Sequence, residues 1–221
     1  MAALHPRLIE RVDRMLAVGG RVLGIAGAPG AGKSTLAEAV LTHYGTRAQL
    51  LPMDGFHLAD EELGRLGRRD RKGAPDTFDV DGYLSALQRV RERRHDVLVP
   101  RFHRDLEEPI AGAIRIAVDT QLVITEGNYL LLDDGRWREV APLLDQSWML
   151  RPDDEDRRAR LVARHVAHGR SPDEAEAWVR TVDEPNAALI LARSRAAGYE
   201  FDPDDPAIRS ADEGDSRDPR G

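Results

Sequence analysis

Apolar positions recur along the 221 residues of this chain at two periods, one helical and one of short continuous runs. Leu4, Leu8, Val12, Met15 and Leu16 fall near helical spacing and predict an amphipathic helix over Ala3–Val18, ended by Gly19-Gly20. Val22-Leu23-Gly24-Ile25-Ala26 is a short apolar run, as a buried strand requires. Thr35–Tyr44 reads as a helix with Leu36, Val40 and Leu41 on one side, and Ala48–Met53 as a second strand, in which Pro52 argues against a central place. Residues 58–79 form a long polar excursion, a length that inside a compact domain usually serves function. Val80–Arg94 resumes as a helix through Tyr83, Leu84, Leu87 and Val90. Val97–Phe102 and Ala113–Val118 read as a strand pair, and Leu122–Gly127 as the next buried strand. A helix over Trp137–Leu144, a strand over Ser147–Leu150 and a strongly charged helix over Asp153–His168 follow. Ser171-Pro172 opens another helix, running to about Val182, and a last one runs from Glu184 or Pro185 through Ala197.

Strands alternating with helices place the chain in the α/β class, with a doubly wound, mainly parallel sheet flanked by helices. The expected organisation is one domain over residues 1–201, with a helical lid at about 153–172. A polar tail covers 202–221 and is expected to be disordered from Asp212 onward.

Charge and composition narrow the function. The net charge is −7, the opposite of what a general nucleic-acid binder carries. No apolar run approaches a membrane span, and the first residues lack a signal-peptide core. The absence of cysteine removes disulfides, thiolate metal sites and cysteine nucleophiles. The reading is a cytoplasmic protein with a small-molecule partner and neither nucleic acid nor membrane; a homodimer is compatible with it.

The chemistry centres on Gly27-Ala28-Pro29-Gly30-Ala31-Gly32-Lys33-Ser34-Thr35, which fits the phosphate-cradling pattern G-x-x-x-x-G-K-[ST] at every fixed position. Its context fits as well: strand before, helix after. Glycines let successive N–H groups turn toward one anion, and the helix behind adds the positive end of its dipole. Lys33 is expected at the β- and γ-phosphates and the Ser34 hydroxyl on Mg²⁺, with ATP as the nucleotide. In a doubly wound sheet ligands sit at the carboxyl ends of the strands. Asp54 and Glu126 both fall there. Asp54 suits either proton abstraction from an attacking hydroxyl or a place near Mg²⁺; Glu126 suits the Mg²⁺ shell. Phe56, His57 and Tyr129 follow these acids and are expected to line an acceptor pocket. Arg71, Lys72 and Phe78 from the excursion join them, as do Arg101, His103 and Arg104 after the hairpin strand. Arg160, Arg164 and His168 are spaced by four on the charged helix, with Arg170 just beyond. They are expected to close over the triphosphate.

Taken together the segments Gly27–Thr35, Met53–Leu58, Arg71–Asp79, Val99–Phe102, Glu126–Leu131, and Arg160–His165 with Gly169-Arg170 resemble the uridine kinase, phosphoribulokinase and pantothenate kinase group of P-loop kinases. The match is nearer still to its bacterial branch of fructose transport system kinase-like, or nucleoside/nucleotide kinase, proteins. The resemblance spans roughly residues 20–195. It implies that Asp54 is the catalytic base and that Arg164 contacts nucleotide phosphates. The chain departs from the branch at His103, where Phe-Asp-Arg is usual. The expected activity is ATP-dependent phosphoryl transfer to a hydroxyl of a small metabolite: a sugar, a nucleoside or a pantothenate-like compound. The competing reading is a P-loop ATPase that switches or regulates a protein partner.

Overall fold

A computed structural model describes residues 4–203 and 209–210. Five parallel strands form its main sheet in the order β2 (Ala48–Pro52), β5 (Leu122–Gly127), β1 (Val22–Gly27), β6 (Gln146–Leu150), β7 (Tyr199–Phe201). A two-residue strand, β8 (Arg209–Ser210), adds antiparallel to β7. The strand order reverses direction of growth on either side of β1, so helices cover both faces. On one face α1 (Pro6–Ala17) and α2 (Lys33–Tyr44) pack against Leu23, Ile25, Leu122 and Ile124. On the other, α4 (Val80–Glu92) and α7 (Glu184–Arg193) cover Val22, Ala26 and Val123. All six residues of β1 and all six of β5 are buried, which explains their nearly continuous apolar character. Pro52 is tolerated because β2 is the outermost strand.

Strands β3 (Val97–His103) and β4 (Glu108–Ile116) form a separate antiparallel hairpin beside β2. The polar excursion is more ordered than its composition suggests. It holds a short helix, α3 (Asp60–Leu66), with acids in its first turn and Gly67 closing it at φ +65°, followed by 3₁₀ turns at Arg69–Arg71 and Pro75–Thr77. The helix expected over Trp137–Leu144 is instead two 3₁₀ turns, Gly135–Glu139 and Ala141–Leu143. Pro142 lacks the N–H that a continuous helix needs, so the chain breaks into two short turns with Pro142 in the first turn of the second.

The charged helix is present as α5 (Asp154–Ala167), capped by the Asp153 carboxylate. Then comes α6 (Pro172–Trp178), opened by a capping box between Ser171 and Glu174. A single π turn, Val179–Asp183, joins α6 to α7, so the expected break at 182–184 is a bulge that accommodates Pro185. The last helix stops at Arg193, short of Ala197, because the chain turns into β7. The disorder expected for 212–221 lies outside the described residues. No described helix is long and apolar enough to cross a membrane.

Candidate active site

β1 delivers the chain to Gly27, and α2 begins at Lys33 with its free N–H groups turned toward the loop between them. Gly30 sits at φ +80° directly beneath α5: a Cβ there would stand 2.8 Å from the Arg157 carbonyl oxygen and 2.7 Å from Leu161 Cγ. The loop is therefore held from above. The buried Arg157 guanidinium donates to the Pro29 carbonyl at 3.3 Å and is itself gripped by Asp154 at 3.0 Å and by Glu184. The four-residue spacing of Arg160, Arg164 and His168 does not point to Arg157. The signal is the i, i+4 pair Arg157 and Leu161, both of which face the loop.

The Lys33 ammonium is buried and donates to the Ala28 carbonyl at 3.0 Å, which places it inside the cradle. Parallel pairing aligns Glu126 with Ile25 on one side and with Pro52 on the other, so the ends of β1, β5 and β2 form one rim. The Glu126 carboxylate is buried there, near enough to the Ser34 hydroxyl for that group to favour its charged form. Asp54 follows β2 in the 3₁₀ turn Met53–Phe56. Burial lowers the Lys33 pKa against the attraction of Glu126 and Asp54. Burial, reinforced by repulsion from Asp54, raises that of Glu126. Anion cradle, lysine and both acids thus act on one another electrostatically.

Asp54 stands where two cavities meet. One, of about 620 Å³, lies between β2 and the hairpin and reaches Glu126 and Arg101. The other, of about 530 Å³, lies beneath the C-terminal half of α5 and is lined by His57, Lys72, Arg164, Arg170 and Trp178. Phe102 and Arg104 border both. The turn carrying Asp54 is pinned by Gly55, where a Cβ would lie 2.3 Å from the Pro100 carbonyl oxygen of β3. Gly55→Ala is expected to push the turn off the hairpin, costing about 1–3 kcal/mol and more than tenfold in kcat; paired melting curves and turnover measurements check this.

His57 lines the second cavity with its ring 4.0 Å from Phe78 and 4.9 Å from Phe102. Its Nδ1 donates to the Asp54 carbonyl at 2.8 Å, since a carbonyl only accepts, and Nε2 is left as an acceptor. Burial lowers its pKa, which favours that neutral form. Lys72 borders the same cavity, tied to the Asp60 carboxylate and the Glu107 carbonyl.

Other expected site residues are placed elsewhere. Phe56 is buried in the core, edge-on to Tyr83, and lines neither cavity. Tyr129 is fully buried and donates to the Gly73 carbonyl at 2.5 Å, so it ties the excursion to the sheet instead of facing an acceptor. Phe78 is sandwiched among His57, Tyr129 and Trp137, and backs the cavity wall without lining it. Arg71 pairs with Asp76 at 2.9 Å on the surface. Arg160 donates to the Asp156 carbonyl at 3.3 Å and borders neither cavity. Alternation of core and site positions in these short segments depends on turns that no periodicity reveals. Tyr129→Phe is expected to lower stability by about 1 kcal/mol and leave KM for ATP unchanged; calorimetry and nucleotide titration decide it.

A phosphate loop on a doubly wound sheet, with two acids at the strand ends and arginines over the loop, defines a P-loop phosphotransferase. No protein-family model matches the sequence. It is 37% identical to Escherichia coli YggC, an uncharacterised protein, over 80% of this chain and 75% of that one. It is 34% identical to a Schizosaccharomyces pombe protein named "putative uridine kinase", over 80% and 79%. Among solved structures, a "putative fructose transport system kinase" from Silicibacter sp. TM1040 superposes with a TM-score of 0.81 at 37% identity, covering 88% of this chain and 97% of that one. The chain belongs to the uridine kinase/pantothenate kinase-like group of P-loop kinases, and is an ATP-dependent small-molecule kinase.

Proposed function

We propose that this kinase moves the γ-phosphoryl group of ATP to a hydroxyl of a small metabolite, with Asp54 as the general base. The observation that carries the reading is the position of Asp54, at the junction of the two cavities and within electrostatic reach of both Lys33 and Glu126. The amides of Gly27–Thr35 and the Lys33 ammonium hold the β- and γ-phosphates. Ser34 and Glu126 would supply the hard oxygen donors that Mg²⁺ takes alongside water and phosphate, and the Ser34 hydroxyl already favours the charged form of Glu126. The ion, when bound, neutralises charge on the phosphate oxygens.

The Asp54 carboxylate takes the acceptor's hydroxyl proton as that oxygen bonds to the γ-phosphorus. The bond from γ-phosphorus to the bridging oxygen breaks, and ADP leaves with its electron pair. His57 Nε2 accepts from a second hydroxyl of the acceptor. Arg164 covers the transferring group, since its charge already acts on Lys33. The first half of α5 is locked to the loop through Arg157 and Leu161, so lid closure falls to the segment from Arg164 to Pro172.

The test is ADP release by the full chain with ATP and Mg²⁺, with and without a panel of sugars, nucleosides and pantothenate. Stimulation by one acceptor, with one phosphorylated product per ADP, is the expected result. A rate indifferent to every acceptor, with free phosphate as the product, would refute the transfer reading and favour the ATPase.

A further inference from the structure

The cavity beneath α5 is positively biased in a protein of net charge −7: five cationic side chains border it against three carboxylates. Two of those cations are already engaged. Lys72 is tied to Asp60 and to the Glu107 carbonyl, and Arg69 Nε donates to the Asp60 carbonyl at 2.8 Å. The other three are differently placed. Among the described residues, the guanidinium groups of Arg104 and Arg164 make no hydrogen bond or ion pair. Arg170 lies 4.0 Å over the ring of Trp178 and forms no ion pair among those residues.

These three arginines divide by position. Arg164 borders the cavity from α5 and acts on Lys33. Arg104 sits in the hairpin turn between His103 and Glu108 and acts on Glu126 from the acceptor side. Arg170 lies over the ring of Trp178, a contact that holds the guanidinium in place before any ligand arrives. A planar guanidinium with its donors unfilled is suited to an oxyanion, which it binds bidentately. A neutral sugar or nucleoside would leave these donors without a charged partner.

We propose that the acceptor is itself an anion, a hydroxylated metabolite bearing a carboxylate or a phosphate ester, and that Arg104 and Arg170 hold its anionic group while its hydroxyl meets Asp54. This rests on the transfer reading above and narrows its substrate class. The flat faces of His57, Phe102 and Trp178 line the same space, which at about 530 Å³ suits one small metabolite.

The first experiment compares acceptors that share a skeleton: glycerol with glycerate, ribose with ribose 5-phosphate, a nucleoside with its 5′-monophosphate. The charged member is expected to show at least about tenfold higher kcat/KM, and the pair that responds tells carboxylate from phosphate. Arg170→Gln is expected to raise KM for the charged acceptor about 10- to 100-fold, to leave KM for ATP within about twofold, and to be partly rescued by Arg170→Lys. A second measurement needs no turnover. The full chain saturated with ADP and Mg²⁺ is titrated with inorganic phosphate and with acetate while tryptophan fluorescence is read, Trp178→Phe identifying the reporter. A saturable change that Arg170→Gln weakens at least about tenfold supports the proposal. A preference for the neutral acceptor, a shift of KM for ATP alone, or no anion-dependent change in fluorescence would overturn it. The two readings fail separately. Acceptor-independent ATP hydrolysis with the anion response intact sinks transfer and keeps the anion pocket. Phosphorylation of neutral acceptors only, dependent on Asp54, does the reverse.

Discussion

Asp54→Asn is expected to lower kcat by about 10²- to 10⁴-fold while nucleotide still binds. The amide has the shape of the carboxylate but cannot take a proton. The turn that carries it does not depend on the lost charge, being held by the packing of Gly55 on Pro100 and by the hydrogen bond from His57 to the residue 54 carbonyl. Nucleotide affinity has a definite expected sign. Asp54 is one of the groups that raise the Glu126 pKa, so its neutralisation makes Glu126 easier to ionise. The affinity for Mg²⁺-bound ATP should therefore hold or rise slightly. Isothermal titration with a non-hydrolysable ATP analogue and single-turnover transfer measure the two effects apart. A variant whose kcat stays within threefold of the parent would remove Asp54 from the role of base.

Arg157→Met is the second large effect expected, and it falls first on stability. The guanidinium is buried and joins three elements: the phosphate loop through Pro29, its own helix through Asp154, and α7 through Glu184. Breaking a buried ion pair is costly because it strands the remaining charge. Here Glu184 is only partly buried and keeps Arg158 at 3.0 Å, so the loss lies at the low end, about 3 kcal/mol. For a chain of this size that corresponds to a fall in Tm of about 6–12 °C. Loosening the Pro29 carbonyl should also raise KM for ATP, because the loop amides lose their fixed aim. Arg157→Lys should restore part of the stability through one hydrogen bond, and less of the nucleotide affinity. An unchanged melting curve would show that α5 does not brace the loop.

Sequence and structure agree most closely where a local pattern carries its own physical reason. The apolar runs at Val22–Ala26 and Leu122–Gly127 are central strands because a strand buried on both faces admits almost nothing polar. The glycines and Lys33 form a phosphate loop because few other uses exist for that spacing between a strand and a helix. The differences cluster in short turns. Phe56 and Tyr129 adjoin the site in sequence, yet each turns its ring into the core, edge-on to Tyr83 and Phe78 respectively. Arg71 and Lys72 are neighbours, yet one pairs with Asp76 on the surface and the other reaches the cavity. The direction each side chain takes is set within or just beside a short turn, and no periodicity in the sequence reports it.

The chain's own sequence therefore determined the α/β class, the phosphate cradle and the two acids at the strand ends, since each follows from near-neighbour chemistry. Only the tertiary structure decided which basic groups share a cavity with Asp54. Arg104 comes from a hairpin turn, Arg164 from α5 and Arg170 from the segment before α6, and contacts between distant segments bring them together.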